Sequence, residues 1–172
     1  ADRVDVVPLA ARPPRSEPEP EAALRARLGL GDRRLIVSTS AKRPHKNLSR
    51  LLQAHAQLAA PRPLLVLPGY ATDYEAELRA EAAKLGIADD VLFLGWMEDP
   101  ALEGLLAAAA CVAFPSLYEG FGLPVLEAMM RGVPVVCSAR SSLAEVAGDA
   151  ALLADPEDPA AIAAALGRVL AE

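Results

Sequence analysis

The chain has 172 residues, which is the length of one domain and is enough to bury a substantial core. Hydrophobic residues make up 53% of it and aromatic residues only 4%, so the predicted core is aliphatic and rich in helix. The net charge of −6 argues against broad nucleic-acid binding and against a polybasic membrane-binding surface, because both require clustered positive charge. No apolar stretch approaches the roughly 20 residues that span a bilayer, and no signal-peptide core is present, which favours a cytoplasmic protein.

Residues 1–33 are predicted to form a segment apart from the main domain. Residues 4–7 are a short apolar strand, and the prolines of residues 8–20 resist both helix and sheet, which predicts a linker or exposed loop. A first helix follows from Glu21 to about Leu28, and it ends at the glycine-rich stop of residues 29–31.

Residues 34–172 alternate short apolar runs with helical patterns. The apolar runs predict strands at residues 35–38, 64–67, 91–94, 112–114, 133–137 and 151–153. Helices are predicted at residues 48–58, 74–85, 101–109, 124–131, 142–147 and 159–170. Apolar strands separated by amphipathic helices indicate a parallel sheet covered on both faces, because parallel neighbours need crossover connections. The predicted fold class is therefore α/β, a Rossmann-like doubly wound parallel sheet, whose ligands bind at the carboxyl ends of the strands.

The loop after the first of these strands contains the densest basic patch of an otherwise acidic chain, made of Lys42, Arg43, His45 and Lys46. A cationic loop at the carboxyl edge of the sheet suits a diphosphate. An ordinary solvated loop is the alternative, and for Lys42 taken alone it is the interpretation that we favour.

A second loop motif runs from residue 119 to 127, where Glu119 and Glu127 enclose a glycine-rich turn. The turn residues that could present backbone amides to a ligand are Gly120, Phe121, Gly122 and Leu123. A helix beginning at Pro124 would direct its unpaired amides toward a phosphate, and an anion site beside two carboxylates suits a nucleotide sugar. The alternatives are a loop-bracing hydrogen bond for Glu119 and a solvent-facing position for Glu127.

Other residues carry weaker signals. Gly95, Trp96 and Met97 follow a strand and reach the same edge, where Trp96 is either a base contact or a half-exposed packing residue. His55 lies in the middle of a helix and is predicted to be a packing or surface residue rather than a catalytic general base. Glu145 lies three residues after Ser142, a pattern that predicts a capping box.

The two cysteines, Cys111 and Cys137, adjoin apolar runs and have no Cys or His at metal-ligand spacing. They are predicted to be buried free thiols, which favours a reducing compartment. The sequence also lacks the G-x-G-x-x-G and Walker patterns, so dinucleotide redox chemistry and P-loop hydrolysis have no support.

The run from residue 115 to 130 closely resembles the PS-x-YEGFGLP-x-LEAM run of the retaining glycosyltransferases of family four, also called group 1, whose signature is E-x7-E. Residues 132–136, GVPVV, match the family's next strand. Residues 91–95, VLFLG, and 44–48, PHKNL, fit the family pattern upstream. The resemblance extends from about residue 4 to the end of the chain, and it implies the donor-binding half of a two-domain GT-B fold.

The resemblance also implies individual roles. Glu127 would hold the ribose hydroxyls of the donor, Glu119 the donor sugar and Lys46 the departing diphosphate, so Glu119 and Lys46 are the candidate catalytic residues. The further donor contacts that it implies are Arg43, Gly95, Trp96, Met97, Gly120, Phe121, Gly122 and Leu123. The chain departs from the family at residues 38–40, which read Ser-Thr-Ser where Gly-Arg is frequent, and Arg43 is the candidate replacement.

The implied partners are a nucleotide-diphosphate sugar and an N-terminal acceptor domain outside this chain, with any membrane contact peripheral and made by that domain. No D-x-D run stands beside the site residues, so no metal or other cofactor is expected. The implied process is polysaccharide or lipid-linked glycan synthesis. The alternatives are a non-catalytic nucleotide-sugar-binding or interaction domain and, less favoured, a GT-B epimerase or phosphorylase, because one fold hosts many chemistries.

Overall fold

A six-stranded parallel sheet forms the centre of the computed structural model, which describes residues 9–11 and 13–171. Its strands are β1 (Leu35–Val37), β2 (Leu64–Leu67), β3 (Val91–Phe93), β4 (Cys111–Phe114), β5 (Val135–Ser138) and β6 (Leu152–Ala154). Its helices are α1 (Glu21–Leu28), α2 (Leu48–Ala56), α3 (Tyr74–Lys84), α4 (Asp99–Ala107), α5 (Leu123–Met130), α6 (Ser142–Ala147) and α7 (Pro159–Ala171). Two 3₁₀ turns, Pro44–Lys46 and Ala88–Asp90, precede α2 and β3.

The strand order is β3-β2-β1-β4-β5-β6, and every neighbouring pair is parallel. The chain winds from β1 outward to β3, returns to the centre, and winds from β4 outward to β6 in the other direction. The loops after β1 and β4 therefore diverge, and such a switch point opens a crevice at the carboxyl edge. The predicted doubly wound α/β fold class is confirmed.

Both faces of the sheet are buried, because successive strand residues point to opposite sides. Ile36 lies in a core layer with residues of α2, α3 and α7, whereas Leu35 and Val37 lie in a layer with residues of α1, α4, α5 and α6. Burial on two faces explains why the strands appear in the sequence as continuous apolar runs. The two layers are mostly aliphatic, as the composition predicted.

The predicted elements between residues 21 and 171 are present, and their ends agree within two residues. The largest strand difference is β5, which begins at Val135 rather than at residue 133. Pro134 has no amide hydrogen and contributes only its carbonyl, which accepts a hydrogen bond from Val112 at 2.9 Å. The two 3₁₀ turns were not predicted, because three-residue segments carry no measurable periodicity.

The proline-rich segment contains no helix or strand within residues 9–11 and 13–20, as predicted. The predicted strand at residues 4–7 lies outside the described residues. Glu19 donates its amide to the carbonyl of Pro100 at 2.8 Å, and Leu24 of α1 is fully buried. The end of this segment and α1 therefore pack against α4. Within the described residues, no helix combines the length and the apolar character that a membrane span requires.

Both cysteines are buried free thiols, as predicted. Burial raises the pKa of Cys111 to about 12 and that of Cys137 to about 11. Neither thiol ionises near neutral pH, so both act as small apolar core residues.

His55 of α2 is fully buried, which confirms that it is a packing residue. Its Nε2 lies 2.9 Å from the carbonyl of Pro63, whereas Nδ1 has no partner among the described residues. Desolvation lowers the pKa of His55, while the Pro63 carbonyl opposes that change. The folded protein therefore holds this imidazole neutral.

We expect His55 to make folding stability fall as the pH drops below about 6.5, its pKa in an unfolded chain. The unfolded chain then takes up a proton that the folded protein excludes, which costs at most about 1.4 kcal/mol per pH unit until the folded pKa is reached. Urea denaturation between pH 7 and pH 5 measures the slope, and His55→Gln should flatten it. The matched control is His45→Gln, because His45 is the other histidine and is only half-buried. Equal slopes for the wild type and His55→Gln would contradict this account.

Candidate functional site

Lys46 and Glu119 meet in the crevice at the switch point. Lys46 ends the 3₁₀ turn of the loop after β1, and Glu119 lies in the loop after β4. The Lys46 Nζ is 2.6 Å from the Glu119 Oε1, and the two side chains are only 18% and 15% exposed. The ammonium also lies 5.2 Å from the ring centroid of Phe114, in cation–π range. Two predicted catalytic residues are thus in direct contact as a charge-assisted hydrogen bond.

Asn47 fixes the backbone that carries Lys46. It is buried, adopts a left-handed conformation with φ of 59°, and links the 3₁₀ turn to α2. Its side-chain amide donates to the carbonyls of Pro115 and Pro156, at 2.9 and 2.6 Å. The loop after β1 is thereby tied to the loops after β4 and β6. Sequence reasoning missed this role, although asparagine is one of the few residues that adopt this conformation readily.

The loops also make contacts beside Asn47. The amide of Leu117 donates to the carbonyl of His45 at 2.9 Å. The rings of His45 and Tyr118 stack with centroids 5.2 Å apart. These contacts also hold the loop after β1 against the loop after β4.

Two serines at the start of α6 hold the backbone of Glu119. Its amide donates to the Ser141 Oγ at 3.1 Å, and its carbonyl accepts from the Ser142 Oγ at 3.0 Å. The capping box predicted for Ser142 and Glu145 is wrong, because no side chain caps the first turn of α6. The serine hydroxyls bind the neighbouring loop instead of the helix amides.

The glycine-rich turn depends on Gly122. It has φ of 108°, a conformation that favours glycine, and a Cβ at this position would lie 2.7 Å from the Leu143 Cδ2, so that side chain would have to shift. Gly120 has neither constraint, since a Cβ there would meet nothing within 4 Å. Helix α5 begins at Leu123, one residue earlier than predicted, with Pro124 in its first turn. Among the described residues, the amides of Gly122 and Leu123 have no backbone acceptor.

Glu127 lies half-buried on α5, and its carboxylate has no hydrogen bond or ion pair with any described residue. Arg131, at the end of α5, donates to the Glu127 carbonyl at 2.6 Å and forms a bidentate pair with Glu103 of α4, both bonds 2.6 Å. Hydrogen bonding from Arg131 lowers the pKa of Glu103. The pair anchors α5 to α4, so the helix that carries Glu127 is firmly placed.

Lys42 is not in a solvated loop, and that prediction is wrong. Its side chain is fully buried, and its Nζ donates to the carbonyls of Gly69 and Leu94, at 2.6 and 2.5 Å. The Glu75 carboxylate lies 3.6 Å away. Burial lowers the pKa of the ammonium, and Glu75 opposes that change. Lys42 joins the carboxyl ends of β2 and β3, and it is not available to an external anion.

Arg43 is exposed just before the 3₁₀ turn, and its carbonyl accepts a hydrogen bond from the Lys46 amide at 3.0 Å. Its guanidinium has no partner within the described part of the chain. The structure does not bring it into contact with Lys46 or Glu119, so its replacement of the family arginine stays a prediction.

Gly95, Trp96 and Met97 lie at the carboxyl edge, beyond β3. Trp96 is 58% exposed. Together with Met97 it lines a cavity of about 260 Å³ that also involves Ser40 and Tyr70, from the loops after β1 and β2. Gly95, Trp96 and Met97 also line a cavity of about 820 Å³ against the proline-rich segment. The Lys46–Glu119 pair lines neither cavity, so these residues form a neighbouring part of the same edge.

The described residues contain no group of three or more His, Cys, Asp or Glu side chains that could hold a metal ion. The positive charge closest to Glu119 is the ammonium of Lys46.

A family model described as glycosyl transferases group 1 matches residues 21–172. The chain belongs to this family. The resemblance drawn from the E-x7-E run is therefore confirmed. The O-antigen chain mannosyltransferase B of Escherichia coli is 46% identical over 125 residues, which are 70% of this chain and 32% of that protein. The chain spans about a third of the length of curated relatives that it matches.

Two solved structures show the same fold. Anabaena Alr3699/HepE in complex with UDP and glucose superimposes with a TM-score of 0.79 at 30% identity, covering 87% of this chain and 42% of that one. The C-terminal domain of a group 1 glycosyltransferase, LpcC of Francisella tularensis, covers 91% of this chain and 85% of its own with a TM-score of 0.78. The latter is 23% identical, which shows the fold alone.

Gly122→Ala should lower the free energy of unfolding by about 2 kcal/mol, because it combines an unfavourable φ with a contact against the fully buried Leu143. Urea denaturation measures the change. Gly120→Ala is the matched control in the same turn, and it should change stability by less than about 0.5 kcal/mol. Equal effects at the two positions would contradict the role given to Gly122.

Lys42→Met should destabilise the protein by about 2–4 kcal/mol, because it leaves the carbonyls of Gly69 and Leu94 without this donor and removes the ammonium beside Glu75, which among the described residues keeps only its pair with Arg79. Methionine keeps most of the apolar stem, so the loss of stability reports the contribution of the ammonium group. Lys84→Met, on the exposed end of α3, is the control and should be close to neutral. If Lys42→Met leaves the free energy of unfolding unchanged in chemical denaturation, the lysine is not the buried link described above.

Proposed function

We propose that this chain is the donor-binding half of a retaining glycosyltransferase, which moves a sugar from a nucleotide-diphosphate sugar to a glycan or lipid-linked acceptor. The observation that carries the proposal is the 2.6 Å contact of Lys46 with Glu119 at the switch point, beside the turn that begins α5. A cation, a carboxylate and unpaired backbone amides there are what a diphosphate joined to a sugar requires.

Lys46 is the proposed contact for the diphosphate. As the bond between the sugar and the phosphate breaks, negative charge grows on the leaving oxygen and positive charge on the sugar ring. A fixed ammonium stabilises the first of these charges more in the transition state than in the ground state, which is the condition for catalysis. The amides of Gly122 and Leu123 add partial positive charge from the start of α5.

Glu119 is the proposed contact for the donor sugar. Its carboxylate already lies beside Lys46, so a sugar whose diphosphate binds Lys46 is within reach of it. The carboxylate accepts hydrogen bonds from sugar hydroxyls and orients the ring for transfer with retention at the anomeric carbon.

Glu127 is the proposed contact for the ribose. A carboxylate with two oxygens can accept both ribose hydroxyls, and that of Glu127 makes no hydrogen bond to the rest of the described chain. The Arg131–Glu103 pair holds α5 in place, so the carboxylate is presented from a rigid element.

The base is proposed to lie against Gly95, Trp96 and Met97. The cavity of about 260 Å³ beside Trp96 has an exposed aromatic face and backbone groups, which suit a flat heterocycle. UDP is bound by the Anabaena relative, and the Escherichia coli relative is named for mannose transfer to the O-antigen chain. These names support a nucleoside diphosphate as ligand and polysaccharide synthesis as the process, with the cytoplasm as its proposed compartment.

The acceptor site is proposed to lie on a second domain, because the chain corresponds to about a third of its relatives. That domain would close over the carboxyl edge and make any contact with a membrane surface. In this proposal the positive charge of Lys46 replaces a metal ion at the diphosphate.

Calorimetric titration with UDP, GDP and ADP and their sugar conjugates tests the donor site. Lys46→Ala and Glu127→Ala should each lower the affinity for the preferred ligand by about tenfold or more, because each removes a charged hydrogen-bonding partner. The controls are Lys84→Ala and Glu77→Ala, which change the same charges on the exposed face of α3. Thermal denaturation of all variants excludes loss of folding as the cause.

Binding that both site variants weaken and both control variants leave unchanged supports the donor site and identifies the base. If the control variants lower the ligand affinity equally, the effect is one of net charge and does not locate a donor site. No binding of any nucleotide would favour the interaction-domain alternative. Sugar transfer by the 172-residue chain alone would contradict the assignment of the acceptor site to another domain.

A further inference from the structure

We propose that Ser141 and Ser142 are positioning residues of the donor site, which act by holding the peptide of Glu119. The inference rests on the proposed function, because it assigns Glu119 to the donor. Neither serine is assigned a contact with the ligand. Their effect is to fix where the Glu119 carboxylate stands relative to Lys46.

The two hydroxyls bind Glu119 on both sides of its Cα. The Ser141 Oγ accepts from the amide at 3.1 Å, and the Ser142 Oγ donates to the carbonyl at 3.0 Å. Bonds to the amide and the carbonyl of one residue restrict both of its backbone dihedral angles. The side chain that leaves this fixed Cα ends 2.6 Å from the Lys46 Nζ.

The backbone of Ser141 is strained, which separates this arrangement from ordinary loop packing. Its φ of 56° and ψ of −150° fall in a region that glycine occupies almost exclusively. Strain of this kind persists when surrounding contacts outweigh it, and it is concentrated at functional sites. Here the strained residue places its hydroxyl on the Glu119 amide.

The start of α6 contacts the same turn at a third point. Leu143 is fully buried and packs so closely against Gly122 that a Cβ there would lie 2.7 Å from its Cδ2. Three successive residues, 141–143, therefore hold both ends of the turn from Glu119 to Gly122. The first turn of α6 has no side-chain cap, because the serine hydroxyls bind the Glu119 backbone instead of the helix amides.

The test measures the affinity of the 172-residue chain for the sugar conjugate of UDP, GDP or ADP that it binds best, because Glu119 is assigned to the sugar of the donor. Ser142→Ala should weaken this binding about fivefold, the effect of losing one neutral hydrogen bond. Ser142→Thr, which keeps the hydroxyl, should restore it. Ser49→Ala is the matched control, because Ser49 lies half-buried on α2 and contacts Gln53 rather than the turn.

A double-mutant cycle distinguishes positioning from a general structural role. If Ser142 acts through Glu119, Ser142→Ala should lower the affinity by less than about twofold in a Glu119→Gln chain, since that carboxylate is no longer present to be placed.

The amide hydrogen exchange of Glu119, measured by NMR, should accelerate by about tenfold in Ser141→Gly, which removes the acceptor and relieves the strain.

The outcomes are separable. Nucleotide-sugar binding by the wild type that Ser142→Ala leaves unchanged overturns the inference while the proposed function stands. An equal loss from Ser142→Ala with and without the Glu119 carboxylate also overturns it, because the effect then does not pass through Glu119. An unchanged exchange rate of the Glu119 amide in Ser141→Gly would contradict the hydrogen bond between Ser141 and that amide. No nucleotide binding by the wild type overturns the proposed function and the inference together.

Discussion

The parallel pairing of β1 with β4 is the constraint on which the site depends. Ile36 pairs with Cys111 and Val37 with Val112, so both strands lead to the same edge of the sheet. The chain leaves β1 toward β2 on one side and leaves β4 toward β5 on the other, which separates their loops and opens the crevice. Lys46 and Glu119, 73 positions apart in sequence, meet only because this pairing is in register. A slip of one residue would move every side chain of the strand into the opposite core layer, so the packing of the two layers fixes the register.

Side-chain-to-backbone hydrogen bonds give the loops of this edge their rigidity. The loops contain little regular structure, and their peptide groups find partners in Lys42, Asn47, Ser141 and Ser142. Each of these side chains joins two loops or a loop and a helix that are distant in sequence. A crevice built this way keeps its shape without burying apolar surface where a polar ligand has to enter. Rigid support of this kind is what precise placement of reacting groups needs.

The fold could be predicted from the sequence because its signals are local. Runs such as residues 64–67 are apolar throughout, and the helices between them are amphipathic over two or three turns. The edge contacts could not be predicted in the same way. Lys42 has a cationic side chain in a polar loop, and only the positions of the Gly69 and Leu94 carbonyls decide that it is buried. Ser142 and Glu145 match a capping pattern, and the nearness of the Glu119 carbonyl overrides it. Family resemblance indicated Lys46, Glu119 and Glu127, but not the residues that place them.

The Lys46–Glu119 contact also bears on how a donor would enter the proposed site. Both side chains are mostly buried, so each charge depends on the other for the stabilisation that water would otherwise give. A diphosphate offers the ammonium more negative charge than one carboxylate does, and it also accepts hydrogen bonds from the amides at the start of α5. In the proposed site, exchange of partners would therefore be favoured over leaving Lys46 on Glu119. The released carboxylate would need new donors, and the hydroxyls of the sugar attached to that diphosphate would lie next to it. A nucleoside diphosphate without its sugar would satisfy only the lysine, so the coupling favours the complete nucleotide sugar.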